Sequence, residues 1–357
     1  MMDCLNEILN EYALEDKATP YGDGHINDTY LLSRRPYILQ KINTGIFKDA
    51  DGLMENIANV TDYLREKIKA AGGDPDRETL TVIKTKKGDN YYKASDGSCY
   101  RIYKFIDKAL SYNKVENPTQ FYNAAKSFGR FAMFLDKYPA ETLHETIVDF
   151  HNTPVRYEQL DAAIEADPKG RVAEVQAEID FAMARREEAG KVVRAIAEGK
   201  IPVRVTHNDT KLNNVMLDEK TGEGVCVVDL DTVMPGSLLY DFGDALRFGA
   251  SSGAEDETDL SKIWFDMELY EAFAKGYLEE TGAILTETER EYLPFSAKLL
   301  TLECGIRFLA DYINGDTYFK IHKPSHNLDR ARNQFKLVAD METKMGEMMK
   351  VIEKYSK

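Results

Sequence analysis

Leu53, Ile57, Val60, Leu64 and Ile68 recur at three- and four-residue intervals, which lines them along one face of a helix; Gly72-Gly73 ends it. Around this helix the pattern shortens to β-branched and aromatic runs at 28–33, 36–42, 79–85, 90–94 and 99–106. Turn residues such as Lys87-Gly88-Asp89 and Asp96-Gly97 bound them. Five strands and one helix are therefore expected up to residue 108. From residue 115 onward helical spacing dominates, predicting helices near 117–138, 155–166, 171–198, 259–281, 286–313 and 326–355. Pro118, Pro168 and Pro324 sit near helix starts, where a missing N–H costs little. The exceptions are a strand at 203–206 and two short apolar runs, 215–217 and 225–228, joined by Asp218-Glu219-Lys220-Thr221-Gly222-Glu223-Gly224. Glycine with acidic and hydroxyl residues between two such runs predicts a hairpin with a longer loop. No internal repeat or low-complexity tract interrupts the pattern.

The hairpin is flanked by polar residues in a telling order. Residues 207–214 read His-Asn-Asp-Thr-Lys-Leu-Asn-Asn, and the second strand runs into Val227-Val228-Asp229-Leu230-Asp231. Phosphoryl transfer needs a carboxylate to orient the attacking hydroxyl and oxygen ligands to hold Mg²⁺ on the phosphates. Asp209 suits the first task; Asn214 and Asp229 suit the second. Lys211, two residues after Asp209, can meet the transferring group. Folding the hairpin about Thr221/Gly222 sets 217 opposite 226, 215 opposite 228 and 214 opposite 229. Opposed residues lie about 4.5–5.5 Å apart, close enough to share one cation. His207 reads as support for the loop rather than as the base. Asp231 is either a second metal ligand or a brace for the turn. Gly22-Asp23-Gly24-His25-Ile26-Asn27, just before a strand, is a candidate phosphate-covering loop, although paired glycines usually mark only a turn.

Composition narrows the partners. Hydrophobic residues make up 43% and charged residues 30% of 357, ordinary for a globular chain with ample core. No apolar run approaches the roughly 20 residues of a membrane-spanning helix. Asp3 and Glu7 stand where a leader would be basic, so no secretion signal is expected. Cys4, Cys99, Cys226 and Cys304 are scattered and form no C-x-x-C, which fits reduced thiols in a cytoplasm. A net charge of −15 disfavours nucleic acid and anionic membrane. ATP is still admissible, because at a Debye length of about 8 Å local cations decide phosphate binding. Lys211, Lys41, Lys104 and a metal ion are the candidates.

The blocks around these motifs resemble the aminoglycoside phosphotransferase and choline kinase superfamily, relatives of the protein kinases. They are Tyr21 to Asn27, Tyr37-Ile38-Leu39-Gln40, Tyr103-Lys104-Phe105-Ile106, Thr206 to Asn214, Asp229 to Ser237, Asp241-Phe242-Gly243-Asp244 and Glu303 to Tyr312, spanning nearly the whole chain. The last three resemble in particular the bacterial N-acetylhexosamine 1-kinases. The resemblance implies an α+β, two-lobed, protein-kinase-like fold: a small nucleotide-binding lobe, 1–108, with a hinge near 105–108, and a large catalytic and sugar-binding lobe, 109–357. It implies ATP and Mg²⁺, with Gly22, Gly24, Gln40, Lys41, Phe105 and Ile106 toward the nucleotide. His25, Asn27, Arg307 and Tyr318 would face the substrate. The reaction would phosphorylate the anomeric hydroxyl of N-acetylglucosamine or N-acetylgalactosamine, in a monomer or weak homodimer. The rival readings are a kinase of another hydroxyl acceptor (another sugar, choline, homoserine or an aminoglycoside) and a catalytically inactive nucleotide-binding protein. A protein kinase fits less well, since no Asp-Phe-Gly to Ala-Pro-Glu segment follows Asp229.

Five further readings accompany these. Protein kinases carry a lysine on the third strand that pairs with a helix glutamate; here Gln40 holds that position, Lys41 points to the opposite face, and a neutral Gln40–Asn56 contact is expected instead. Arg307 and Asp311 are either substrate contacts or an i,i+4 surface pair. Asp241 is expected to anchor the catalytic loop's backbone. His144 and His151, seven residues apart, miss the H-E-x-x-H spacing and are expected to be solvated or capping, and the methionines at 341, 345, 348 and 349 to fill core or form an interface stripe.

Overall fold

The computed structural model describes residues 5–22, 26–34 and 36–356. Its first part is a six-stranded antiparallel sheet built from β1 (Ala18–Pro20), β2 (Asp28–Leu32), β3 (Tyr37–Ile42), β4 (Val82–Ile83), β5 (Tyr92–Lys93) and β6 (Cys99–Lys104). The order is β1-β2-β3-β6-β4, with β5 also pairing β6. Successive side chains point to opposite faces, so the sheet has two cores. On one face Leu39, Tyr100 and Ile102 meet Ile8 and Leu9 of α1 (Leu5–Glu11). On the other, Ile42 and Tyr103 join the apolar stripe of α2 (Ala50–Ala70), and this core runs on into the second part of the chain. Asp49 caps α2 by accepting from the Gly52 N–H. The short helix α3 (Pro75–Glu78) follows, and its Arg77 reaches the carbonyls of Asp107 and Lys108 and the Asp218 carboxylate, tying the expected hinge to the hairpin.

The second part carries β7 (Ala109–Leu110), β8 (Arg204–Thr206), β9 (Val215–Asp218), β10 (Gly224–Val227) and β11 (Met234–Gly236). They form a three-stranded sheet, β10-β9-β7, and a β11-β8 ribbon. The rest is helical: α4 (Pro118–Leu135), α5 (Thr153–Ala166), α6 (Gln176–Met183), α7 (Arg186–Ala189), α8 (Lys191–Ala197), α9 (Leu238–Gly249), α10 (Met267–Thr281), α11 (Glu287–Asn314) and α12 (His326–Tyr355). The expected α+β, kinase-like architecture is present. No helix among the described residues is long and apolar enough to cross a membrane.

Several boundaries differ from expectation, each for a physical reason. α1 and β1 are too short to show a period. The span 171–198 breaks into three helices: Arg185 turns out to grip Glu342 of α12 at 2.9 and 2.7 Å, and Gly190 forms the next joint. The helix expected from 259 begins at Met267, because Phe265 is pinned in the core and its N–H donates to Asp340 at 2.7 Å. The methionines divide, Met341 and Met348 buried and Met349 exposed. The whole of α9 lies outside the expected helices. It is buried almost all round, its polar residues Asp241, Asp244 and Arg247 included, so a helix of only twelve residues hides three side chains that read as surface positions.

α9 crosses α11 at close range. A Cβ on Gly243 would lie 2.4 Å from the Ser296 carbonyl oxygen, backbone that cannot swing aside. Gly243→Ala is expected to destabilise the fold by about 1–3 kcal/mol through overpacking, despite alanine's better helix propensity. A lower denaturant midpoint at unchanged slope is the expected reading, and an equal or higher midpoint would show that the helices can separate freely.

Candidate active site

The segment 207–214 leaves β8 and enters β9 with its backbone donors turned inward. The Asp241 carboxylate of α9 accepts the N–H of His207 at 2.9 Å and of Asn208 at 2.7 Å. One turn along the same helix, Asp244 accepts the N–H of Thr210 at 3.1 Å. The Thr232 hydroxyl donates to the His207 carbonyl at 2.6 Å, and the Asn208 amide donates to the Thr232 carbonyl at 2.9 Å. Asn208 takes a left-handed φ of 64°, which asparagine tolerates better than most residues. His207 lies between the rings of Phe128 and Phe131, donates from Nε2 to the Val228 carbonyl at 2.9 Å, and accepts the Asp209 N–H at Nδ1. Both ring nitrogens are occupied by backbone, which makes His207 a support.

Within this frame Asp209 is half-buried. One carboxylate oxygen meets Lys211 Nζ at 2.6 Å and the other accepts from Asn214 Nδ2 at 3.0 Å. Burial alone would raise its pKa, but the Lys211 ammonium, with smaller help from His207 and Asn214, holds it below the usual carboxylate range. Asn214 Nδ2 also donates to the Asp209 carbonyl at 2.7 Å, which leaves the amide oxygen as the available metal ligand. Asp229 sits at a left-handed φ of 58°, solvent-accessible yet surrounded by protein. Enclosure, and then the charges of Asp231 and Asp209, push its pKa up to about 7.

The hairpin register is one residue off the expected one. Met216 faces Cys226 and Val215 faces Val227, with a bulge between Gly224 and Cys226. Asp218 sets the turn by accepting the N–H groups of Lys220 and Thr221 and by closing on Gly222 and Glu223, so Val225 is left over. The Val228 N–H then donates to the Asn214 carbonyl at 2.9 Å, and Asp229 follows directly beyond the last pair.

The neutral Gln40–Asn56 contact does not form. Asn56 instead accepts the His144 N–H at 2.8 Å and donates to the carbonyls of His144 and Val233, stitching α2 to the second part of the chain. Gln40 accepts from Arg101 Nε at 3.0 Å, and Arg101 also pairs with Asp231 at 2.5 Å. The cation missing from β3 is supplied by its neighbour β6, where Arg101 stands opposite Gln40. Lys41, opposite Tyr100, lies on the other face of the sheet. Gly22 has a φ of 75° with open space around it, as a loop close to a ligand requires. Gly24 and His25 lie outside the described residues. The Asn27 amide donates to Asp231 at 2.7 Å and accepts from the Asn43 N–H at 2.9 Å, so its oxygen is committed to protein. Phe105 meets the Tyr21 ring edge-on and Ile106 is buried in the main core.

Arg307 has no ion pair with Asp311 among the described residues. Its guanidinium lies 5.4–5.9 Å from the rings of Phe150, Tyr318 and Phe319. Asp311 instead accepts the N–H groups of Thr317, Tyr318 and Phe319, holding Tyr318 outward with 62% of its surface exposed. His151, expected to be solvated or capping, is buried: Nδ1 reaches Glu303 at 2.8 Å and Nε2 the Asn208 carbonyl at 3.1 Å. Two acceptors on one imidazole require two protons. Arg247 was not legible as a site residue; buried on α9, it pairs with Asp244 at 3.0 Å and Glu255 at 2.7 Å, beside the Lys211 charge. Its Asp-x-x-Arg spacing reads as an ordinary surface pair. Two cavities, of about 430 and 380 Å³, contain neither Asp209 nor Asp229, although Arg247 lines the smaller.

A kinase-like fold with this carboxylate, lysine and asparagine set defines a phosphotransferase. The chain belongs to the phosphotransferase enzyme family, whose family model matches residues 17–292. Among solved structures it is similar to a microcompartment-associated aminopropanol kinase, at TM-score 0.63 and 15% identity over 98% of both chains. An aminoglycoside phosphotransferase from Alicyclobacillus acidocaldarius matches at TM-score 0.62 and 11% identity, over 98% of this chain and 96% of that one. Spectinomycin phosphotransferase in complex with ADP and spectinomycin matches at 0.56 and 14%, over 97% and 98%. At these identities the likeness establishes the fold.

The His151–Glu303 pair carries a pH signature. Burial works against the charge on His151, but the Glu303 hydrogen bond and charge outweigh it and raise its pKa above 6.5, so its contribution is lost as pH rises through that raised value. Burial opposes ionisation of Glu303 too, yet His151 holds its pKa below 4.5, so that contribution is lost as pH falls through the lowered value. The gap in stability between wild type and His151→Gln should be widest near pH 5–6 and shrink in both directions. A gap independent of pH in urea melts would show that the pair is not charged.

Proposed function

We propose that the chain transfers the γ-phosphoryl group of ATP to the anomeric hydroxyl of an N-acetylhexosamine. The observation that carries the reaction is Asp209 held between Lys211 and Asn214 at 2.6 and 3.0 Å, with Asp229 alongside. A carboxylate has about four lone-pair positions, so Asp209 can still accept a hydrogen bond from substrate. Its lowered pKa suits it to orienting the hydroxyl and taking the proton late, as the sugar oxygen bonds to the γ-phosphorus and the bond to ADP breaks. An anomeric hydroxyl, more acidic than an ordinary alcohol, gives up that proton more readily. Lys211 stabilises charge on the transferring group.

The metal site fits Mg²⁺, which commonly takes one or two carboxylates with water and phosphate oxygens rather than a full protein cage. Among the described residues no cluster of three or more His, Cys, Asp and Glu is arranged to hold a metal. Asn214 and Asp229 would be the protein ligands, and the ion would bridge the phosphates and offset their charge. Gly22, Gly24, Gln40, Phe105 and Ile106 are assigned to the nucleotide, with the lobes meeting near 105–108. Lys41 is a weaker candidate because of the face it occupies.

The sugar rests on the resemblance of the 303–312 block and on the surroundings of Arg307. Aminopropanol and choline are cations, and a cation acceptor is well served by an open aromatic cage. Here the rings of Phe150, Tyr318 and Phe319 already surround a guanidinium. That favours a neutral polyol, held by planar polar groups and an aromatic face. Arg307 and Tyr318, with His25 and the remaining amide hydrogen of Asn27, would contact it.

An acceptor panel read by ADP release, then NMR of the phosphorylated position, tests this directly. N-acetylglucosamine or N-acetylgalactosamine should lead, with phosphate on C1; a faster amino alcohol or aminoglycoside would overturn the sugar assignment. Turnover should stop with EDTA and return with Mg²⁺. Asp209→Asn should lower kcat by about 10²–10⁴-fold with ATP binding nearly intact, and activity retained in that variant would remove its role. Arg307→Ala should raise KM for the sugar at least tenfold more than KM for ATP; equal effects would make Arg307 structural.

A further inference from the structure

Asp231 lies two residues beyond Asp229 and is almost wholly enclosed, with 3% of its surface exposed. Its oxygens have separate partners. Oδ1 meets Arg101 at 2.5 Å, and Oδ2 accepts from Asn27 at 2.7 Å. Both partners come from the small lobe. Arg101 stands at the centre of β6, 1% exposed, and its Nε donates to Gln40 on β3. Asn27 is fixed to the end of β3 through the Asn43 N–H at 2.9 Å; Asn43 donates back to the Ile26 carbonyl at 3.2 Å. On the other side, Thr232, the next residue after Asp231, holds the carbonyl of His207. One carboxylate thus joins the sheet, Asn27, the Asp229 turn and the 207–214 loop.

We propose that Arg101 and Asp231 form an interlobe clamp that sets the position of Asn27 and the β3–β6 sheet relative to Asp229, with Asp231 acting as a positioning residue and not as a second metal ligand. The inference rests on the nucleotide and metal assignment above but not on the identity of the acceptor. In protein kinases the corresponding cation sits on the third strand and pairs with a helix of its own lobe. Here the cation has moved one strand over and its anion lies across the cleft. Opening the cleft therefore requires separating two enclosed charges, and a metal ion at Asp231 would have to share oxygens already paired with Arg101 and Asn27. A metal held at Asp229 would depend on this arrangement, so its loss should be felt in nucleotide binding with metal and not in acceptor binding.

The test is a fluorescence titration of wild type, Arg101→Lys, Asp231→Asn and the double variant with mant-ADP, with and without Mg²⁺. KM for the acceptor is measured in parallel. Wild type should bind more tightly with Mg²⁺; each single variant should lose at least tenfold of that gain, with acceptor KM within twofold. The double variant should be no weaker than the worse single, because both changes break the same link. If a single variant fails to fold, Arg101→Met/Asp231→Leu, which removes both charges together, carries the same titration. Singles that bind as wild type, a double that loses the product of the two effects, or an equal rise in acceptor KM would overturn the clamp. So would loss in Asp231→Asn alone with Arg101→Lys intact, the pattern of a metal ligand. Wild type failing to bind Mg·ADP would instead remove the kinase reading itself, which no comparison among variants can mimic.

Discussion

Backbone donors that face the interior must find acceptors, and in this molecule that requirement fixes the position of Asp209, the proposed catalytic carboxylate. The N–H groups of His207, Asn208 and Thr210 turn inward, and α9 presents Asp241 and Asp244 on one face to receive them. A buried N–H left without its acceptor costs about 1–3 kcal/mol, so the loop has little freedom to choose another path. α9 is placed in turn by its close crossing with α11 at Gly243. Asp209 takes its backbone position from a helix contact, and Lys211 and Asn214 then orient its carboxylate. This is why a loop can carry chemistry that needs sub-ångström placement.

The same region shows how a chain with a net charge of −15 makes room for more negative charge. Three carboxylates converge, and they are not equivalent. Asp209 is balanced by Lys211, and Asp231 by Arg101. Asp229 has no ion pair among the described residues, and enclosure, followed by the charges of Asp231 and Asp209, raises its pKa to about 7. A site with three anions and two fixed cations is one cation short, and the missing charge belongs beside Asp229. A divalent cation held beside Asp229, as proposed for Mg²⁺, would supply it. The electrostatics therefore support the metal assignment on grounds separate from motif spacing.

What was legible in the sequence follows from how each feature is encoded. The α2 stripe, the short strands and the catalytic hairpin are written in local periodicity and turn chemistry, and the structure shows them, the hairpin offset by one residue because Asp218 commits the turn and leaves Val225 as a bulge. α9 was not read as a helix because Asp241, Asp244 and Arg247 break a twelve-residue run that is nonetheless buried on nearly every side. Arg101 was missed for a related reason: a single arginine in the strand run Cys99–Lys104 reads as a solvent-facing residue. Only the pairing of β6 with β3, set by residues far along the chain, turns it inward beside Gln40. Asn56 was drawn to the wrong partner because helix phase gave its direction but not the depth at which the 144 and 233 backbones would meet it. The signal available in advance was the absence of a lysine at residue 40, which implied that a cation had to come from elsewhere.

α11 joins the proposed acceptor region to the catalytic loop. Glu303, Arg307 and Asp311 recur every four residues, so one helix face meets three tasks at intervals of about 6 Å. Glu303 holds His151 and through it the catalytic loop, Arg307 meets the aromatic rings, and Asp311 fixes the turn that carries Tyr318. The three tasks are linked through shared rings: Phe150 meets both His151 and Arg307, and Asp311 holds the backbone of Tyr318 and Phe319, which meet Arg307. Solved structures named for an aminopropanol kinase, an aminoglycoside phosphotransferase and a spectinomycin phosphotransferase share this fold at 11–15% identity, and a fold does not by itself fix the acceptor. Under the proposed function, acceptor choice would rest with the Arg307 and Tyr318 surroundings and rate with the loop that α9 holds.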